Sequence, residues 1–307
     1  MPRKLERDFI ASNLASLNGI LAKAPARSLT RESLESIRDE FENKLRSVEE
    51  STESRASTAL FFSGKPVSGT RGIESEFASN ALWSYQEIVT KLFALRIKGQ
   101  LGERGVVPER DRSRLHVTNL VRGSFGFLLE DVSGDDEEAA PLLKGAADDS
   151  ARLLGTFAEE DEEHFETAIV DIDNRVLQTV RSFFDTMSKY SATVRIVSGD
   201  SERRFDMNGI LRATARANAT KVEEVPDSLV GFLQGVMPDK HEFELRTEDG
   251  TISGKILGSL PTSEFESLYR QNVIADFTRT DVYRGEQVVR QKFVMIGVRP
   301  QSPSESQ

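Results

Sequence analysis

His241–Leu257 reads HEFELRTEDGTISGKIL. Phe243 and Leu245 alternate with Glu242, Glu244, Arg246 and Glu248, the period of a strand with one buried face. Glu-Asp-Gly at 248–250 follows, and Asp-Gly tolerates the positive φ angles of a tight hairpin turn. Thr251–Leu257 is then the returning strand. Working outward, Leu229–Val236 is a strand before this hairpin. Pro261–Arg270 is a short helix after it, carrying Phe265 and Leu268, and Val273–Val282 and Gln287–Val298 are the last strands. Three strands, a helix and two strands is the element order of a small five-stranded β-barrel, OB-like or SH3-like. It is expected to occupy residues 222–299, with 300–307 a polar, disordered tail.

Upstream the pattern changes to helical. Residues 5–22 form a helix with Leu14, Leu17 and Leu21 on one side, broken at Pro25. Thr30 suits an N-cap for a second helix, Ser33–Arg55, whose apolar residues Leu34, Ile37, Phe41, Leu45 and Val48 are spaced 3, 4, 4, 3. This near-heptad stripe either packs on the rest of the chain or self-associates with a second copy. Residues 1–56 are thus a helical arm. Residues 57–132 read as a small α+β unit: a strand Ser57–Ser63, a long helix Ile73–Lys98 with Trp83 off its apolar stripe, and a hairpin in which Leu115 and Val117, then Phe125, Phe127 and Leu129, alternate around Arg122-Gly123-Ser124. Residues 133–221 form an acidic helical segment. Its helices are Pro141–Phe157, Glu162–Tyr190 and Gly209–Ala219, and its short strands are Thr193–Val197 and Arg203–Phe205. The fold class is α+β.

Composition narrows the chemistry. The 307 residues carry a net charge of −10, and it is concentrated. Asp131–Glu166 holds 13 of the 50 acidic residues and 2 of the 40 basic ones, a net −11, which leaves the remainder at +1. Such a block is a solvated face or a docking surface for basic groups. Cysteine is absent, which excludes disulfides, thiolate metal sites and cysteine nucleophiles, and fits a reducing compartment. No run reaches the roughly 18 apolar residues of a membrane span, and MPRKLERDFIASNL lacks the apolar core of a secretory signal. A cytoplasmic location without membrane contact is expected.

Phe61–Phe77, FFSGKPVSGTRGIESEF, has the glycine spacing of a P-loop at Gly64 and Gly69. Thr70 and Arg71 follow instead of Lys and Ser/Thr, and a planar guanidinium does not replace the compact ammonium of that nest. What remains is an anion-binding candidate formed by Lys65, Thr70 and Arg71 at a helix start. Pro226-Asp227 with Glu244-Leu245-Arg246 imitates a nuclease core, but arginine stands where the lysine is needed. Asp161 and His164 have metal-ligand spacing without a second pair. No metal, cofactor or catalytic residue is assigned. Residues 96–122 are basic, and Arg104, Arg110, Arg112, Arg114 and Arg122 are candidates for binding nucleic acid. The barrel region 222–299, with 9 basic and 13 acidic residues, is not. The function expected is a non-enzymatic interaction or adaptor component of a larger cytosolic assembly, with self-association through the N-terminal helices as one route. The alternative is a nucleic-acid-binding protein using residues 96–122.

Overall fold

Strand β1 (Ser57–Gly64) buries six residues in succession, because it is the middle strand of a sheet with apolar packing on both faces. The computed structural model that shows this describes residues 1–25, 29–99, 101–102, 104–121, 125–134, 136–169, 172–257, 265 and 267–301. The chain is α+β and divides into two units, Met1–Asn218 and Ala219–Gln307.

In the first unit, β1 is joined by β2 (His116–Val121), β3 (Phe125–Glu130), β4 (Ala192–Ser198) and β5 (Ser201–Phe205) in the order β2-β3-β1-β4-β5, every neighbour antiparallel. Helices α1 (Arg3–Leu21) and α2 (Leu29–Glu50) precede the sheet. α3 (Ser75–Lys98), α4 (Ala139–Ala158), α5 (Glu162–Ala168), α6 (Asn174–Lys189) and α7 (Met207–Ala219) complete the unit. α3 packs on α4 and α6. Phe62 of β1 meets Phe77 of α3 edge-on at 5.3 Å and Phe127 of β3 at 6.2 Å, which fixes the face of the sheet that α3 covers. The opposite face holds a smaller cluster of Ala59, Phe61, Leu128 and Val197, joined by Leu5 of α1 and Val121.

The helices differ from the sequence expectation in several places, among them the end of α2, which stops at Glu50 rather than Arg55. α2 begins at Leu29, so Thr30 lies inside it rather than capping it. The apolar period through Glu162–Tyr190 is shared by two helices: α5 ends at Ala168, and Asp173 starts α6 by accepting from the backbone N–H of Arg175 (2.8 Å) and Val176 (3.2 Å). An aspartate that bonds backbone donors two and three residues ahead opens a new helix without disturbing the apolar period.

In the second unit, β6 (Thr220–Met237), β7 (Glu242–Thr247), β8 (Gly250–Ile256), β9 (Asn272–Arg284) and β10 (Gln287–Pro300) close into a ring. β6 pairs with β7, β7 with β8 and β9 with both β6 and β10, all antiparallel, while β8 and β10 pair in parallel. The Glu248–Asp249 turn lies where the hairpin reading put it, with Gly250 at φ 135°. Leu233, Phe243, Leu245, Phe265, Val273, Ala275, Phe277 and Met295 fill the interior. β6 is far longer than the expected Leu229–Val236. Pro226 sits within it, paired with Thr278, because here β6 bonds only to β9, and its ladder with β7 starts at Phe232. The missing N–H therefore falls on an edge. Half of the expected helix Pro261–Arg270 (261–264 and 266) lies outside the described residues, as does the tail beyond Gln301.

Candidate protein-interaction surface

β2 is an outer strand of the five-stranded sheet, and its sequence, HVTNLV, contains no Asp, Glu, Lys or Arg. Five of its six residues are exposed. Strict alternation would send Val117 and Leu120 to opposite faces. The ladder with β3 instead skips Thr118: Val117 opposes Leu129, Asn119 opposes Leu128 and Leu120 opposes Phe127. This β-bulge returns Val117 and Leu120 to one face, the face that Phe127 shares with Phe62 beneath α3. Val117 is 51% and Leu120 57% exposed.

α3 supplies the third apolar group. The Gln86 side chain ties this helix to the residues that lead into β2, its Oε1 accepting from Leu115 N–H (2.9 Å) and its Nε2 donating to Ser113 O (2.8 Å). Trp83 lies three residues earlier on that flank of α3 and is 62% exposed. The Arg110 guanidinium stands 5.9 Å from its ring centroid and is held by two bonds to the buried Glu87, at 2.5 and 2.8 Å. The tryptophan thus has a fixed neighbour on one side and solvent on the other. The opposite sheet edge is built differently: β5, SERRF, is lined by Glu202, Arg203 and Arg204, the charged guard that keeps an edge from pairing.

The basic residues meet partners within the chain. Arg110 engages Glu87, Arg112 bonds Asp136 at 2.6 and 3.0 Å, and Arg114 bonds Asp111. Arg104 is exposed, and Arg122 lies outside the described residues. The acidic block takes up much of the basic charge. Arg96 bonds Asp149, Arg112 bonds Asp136, Arg212 bonds Glu160 (3.2 Å) and Arg216 bonds Glu162 (2.7 Å). The Arg112 bonds, followed by the N–H of Ala139, hold the Asp136 carboxyl below its usual range. Arg96 lies against Gly145 of α4, where an added Cβ would sit 2.7 Å from the guanidinium carbon and the arginine tip would have to shift.

Lys65, Thr70 and Arg71 are exposed on the loop between β1 and α3. Four backbone donors of this loop are used within the chain. Lys65 N–H bonds Ser191 O, Val67 N–H bonds Gly64 O, Ser68 N–H bonds Gly72 O, and Arg71 N–H bonds Ser68 O. Of the α2 stripe, Leu34, Phe41 and Leu45 are half-buried and Val48 is buried, whereas Ile37 is exposed. α1 and α2 pack together as a hairpin, tied near one end by Lys44 and Glu6 (3.5 Å) and at the other by Arg31 bonding Leu21 O (3.1 Å).

Two clefts lie elsewhere. A cleft of about 1060 Å³ on the barrel is lined by Phe232, Phe293, Gln291, Arg246, Arg279 and Asp227 among others. Three of its polar side chains are bonded within the unit: Arg279 bonds Asp227 and the buried Asp281 (3.0 Å), which also accepts from Gln291 (3.0 Å). Asp227 is therefore engaged by Arg279. A smaller cleft of about 440 Å³ between α4, β5 and α7 includes His164, Arg203, Asn208 and Arg212. His164 bonds Glu159 at 2.9 Å, and Asp161 caps α5 through His164 N–H. Among the described residues no group of three or more His, Asp or Glu is placed to hold a metal ion, and no helix is long and apolar enough to cross a membrane. No family model, curated protein or solved structure matches the chain.

Proposed function

We propose that the protein is a non-enzymatic interaction component that docks other polypeptide through the β2 edge and the adjoining Trp83. The observation that carries this reading is the contrast between the two sheet edges: β2 is uncharged and presents Val117 and Leu120 on one face, while β5 is charged. Open strand edges bind by adding a strand, with main-chain hydrogen bonds for affinity and side chains for selection. The second unit is read as an OB-type barrel rather than an SH3-like one, since its first strand pairs with the second and fourth and its third pairs in parallel with the fifth. The absence of cysteine supports a reducing, cytoplasmic setting.

The test is photo-cross-linking in native lysate, with a photoreactive residue at His116 on β2 or at Arg204 on β5. Protein adducts are expected from position 116, resistant to nuclease and lost with Val117→Lys, and none from position 204. Equal adducts from both edges, or adducts only to nucleic acid, would overturn the reading. Nucleic-acid binding through residues 96–122 is the weaker reading, because Arg110, Arg112 and Arg114 each already face a carboxylate.

A further inference from the structure

Resting on β2 as the docking edge, we infer that its occupant is a second copy of this chain, joined by antiparallel β2–β2 pairing about a twofold axis. Charge is the first argument. HVTNLV carries no carboxylate, ammonium or guanidinium, so pairing with itself opposes no like charges, and a strongly charged foreign strand would find no counter-charge on it. The same operation on β5 would set Arg203 against Arg203 of the other copy.

Symmetry is the second argument. Val117 and Leu120 are equidistant from the strand midpoint between Thr118 and Asn119. A twofold axis through that midpoint sets Val117 of one copy beside Leu120 of the other, twice. An axis perpendicular to the sheet keeps the α3-covered faces on one side, so the bulge that aligned these residues makes one apolar strip of Val117 and Leu120 from both copies. The outward N–H of Leu120 is held by its neighbour's Asn119 Oδ1 at 2.8 Å, a local bond that an incoming strand can displace. Growth stops at two copies, because the outer edges of the joined sheet are both β5. A pair of six-residue strands is a small interface, so association is expected at about micromolar concentration.

Sedimentation velocity of the full chain over about 1–100 μM tests this. The parent should pass from monomer to dimer across that range. Val117→Lys and Leu120→Glu, both at exposed positions and checked for folding by circular dichroism, should each weaken the dimer on the order of 10-fold or more, since every change acts twice. Mixing the two variants should restore it, because one heterodimer contact then sets the introduced ammonium against the introduced carboxylate and the other keeps Val117 against Leu120. A parent that stays monomeric, variants that dimerise like the parent, or a mixture that stays monomeric would overturn the second-copy inference. A monomeric parent whose position 116 still cross-links to a different protein would overturn it alone, leaving β2 as a docking edge. Absence of any adduct would remove both.

Discussion

Arg279 and Asp281 show how single residues hold this molecule together. Asp281 is 2% exposed and accepts from Arg279 and Gln291 on the inward side of β9 and β10. Removing Arg279 leaves a buried carboxylate without its cation, which costs about 3–5 kcal/mol. Arg279→Met should therefore lower unfolding stability by that order in a denaturant titration, and adding Asp281→Leu should recover most of the loss. A double variant as unstable as the sum of the two single ones would show that they do not act as a pair. Arg216 works by another means. It is 4% exposed, donates to the carbonyls of Thr156, Phe157 and Glu159 at the end of α4, and lies 4.4 Å from the Phe165 ring centroid. Neither role was legible in sequence. Nothing in the sequence around Arg216 or Asp281 marks either as buried; the chain brings the end of α4 to one and Arg279 to the other. The same holds for Val117 and Leu120. No residue in HVTNLV announces a bulge, so alternation alone separates two side chains that the structure aligns.

Among elements, the α1–α2 hairpin carries the clearest consequences. Its stripe was legible because helical period survives in any context, but its partner was not: the spacing of Leu34, Phe41, Leu45 and Val48 suits α1 as well as a second copy. Phe41→Glu with Leu45→Glu should open the hairpin, raising hydrogen exchange in both helices without changing the sedimenting mass. A drop from dimer to monomer with exchange unchanged would return self-association to α2. The arm is also tied by charge. Arg3 bonds Asp200 at 2.9 Å in the turn between β4 and β5, holding that carboxyl below its usual range. A depressed carboxyl contributes stability above its unfolded pKa and loses it as pH falls through the folded one. Glu53 runs the other way: burial raises it despite Lys144, so its contribution is present at low pH and lost as pH rises through its elevated value. With Asp200 the solvent-facing tie, acidification below about pH 4 should speed exchange in α1, and Asp200→Asn should flatten that dependence. An unchanged profile in the variant would remove Asp200 from the tie. The long strand β6 makes the converse point about legibility, since Pro226 argues against a strand unless its edge position is known.

For the whole molecule, the charge pattern and the open edge are what support the proposed docking role. The acidic block reads in sequence as a solvated face or a docking surface for basic groups, and its carboxylates meet Arg96, Arg112, Arg212 and Arg216 of the same unit. Charge matched internally leaves fewer cations for phosphate, so any nucleic-acid binding should be weak and lost at moderate salt. Tight binding with a steep salt slope, abolished by reversing Arg112 and Arg114, would contradict that prediction. Among the described residues, Trp83 is exposed on α3 and Val117 and Leu120 are exposed on a strand with no outer neighbour. Hydrogen exchange of the β2 and β5 amides, in dilute protein and again in concentrated protein and in native lysate, tests this account most directly. It predicts that amides of His116–Val121 become protected in the concentrated or lysate samples while those of Ser201–Phe205 do not change. β2 amides that exchange equally fast under every condition would contradict it.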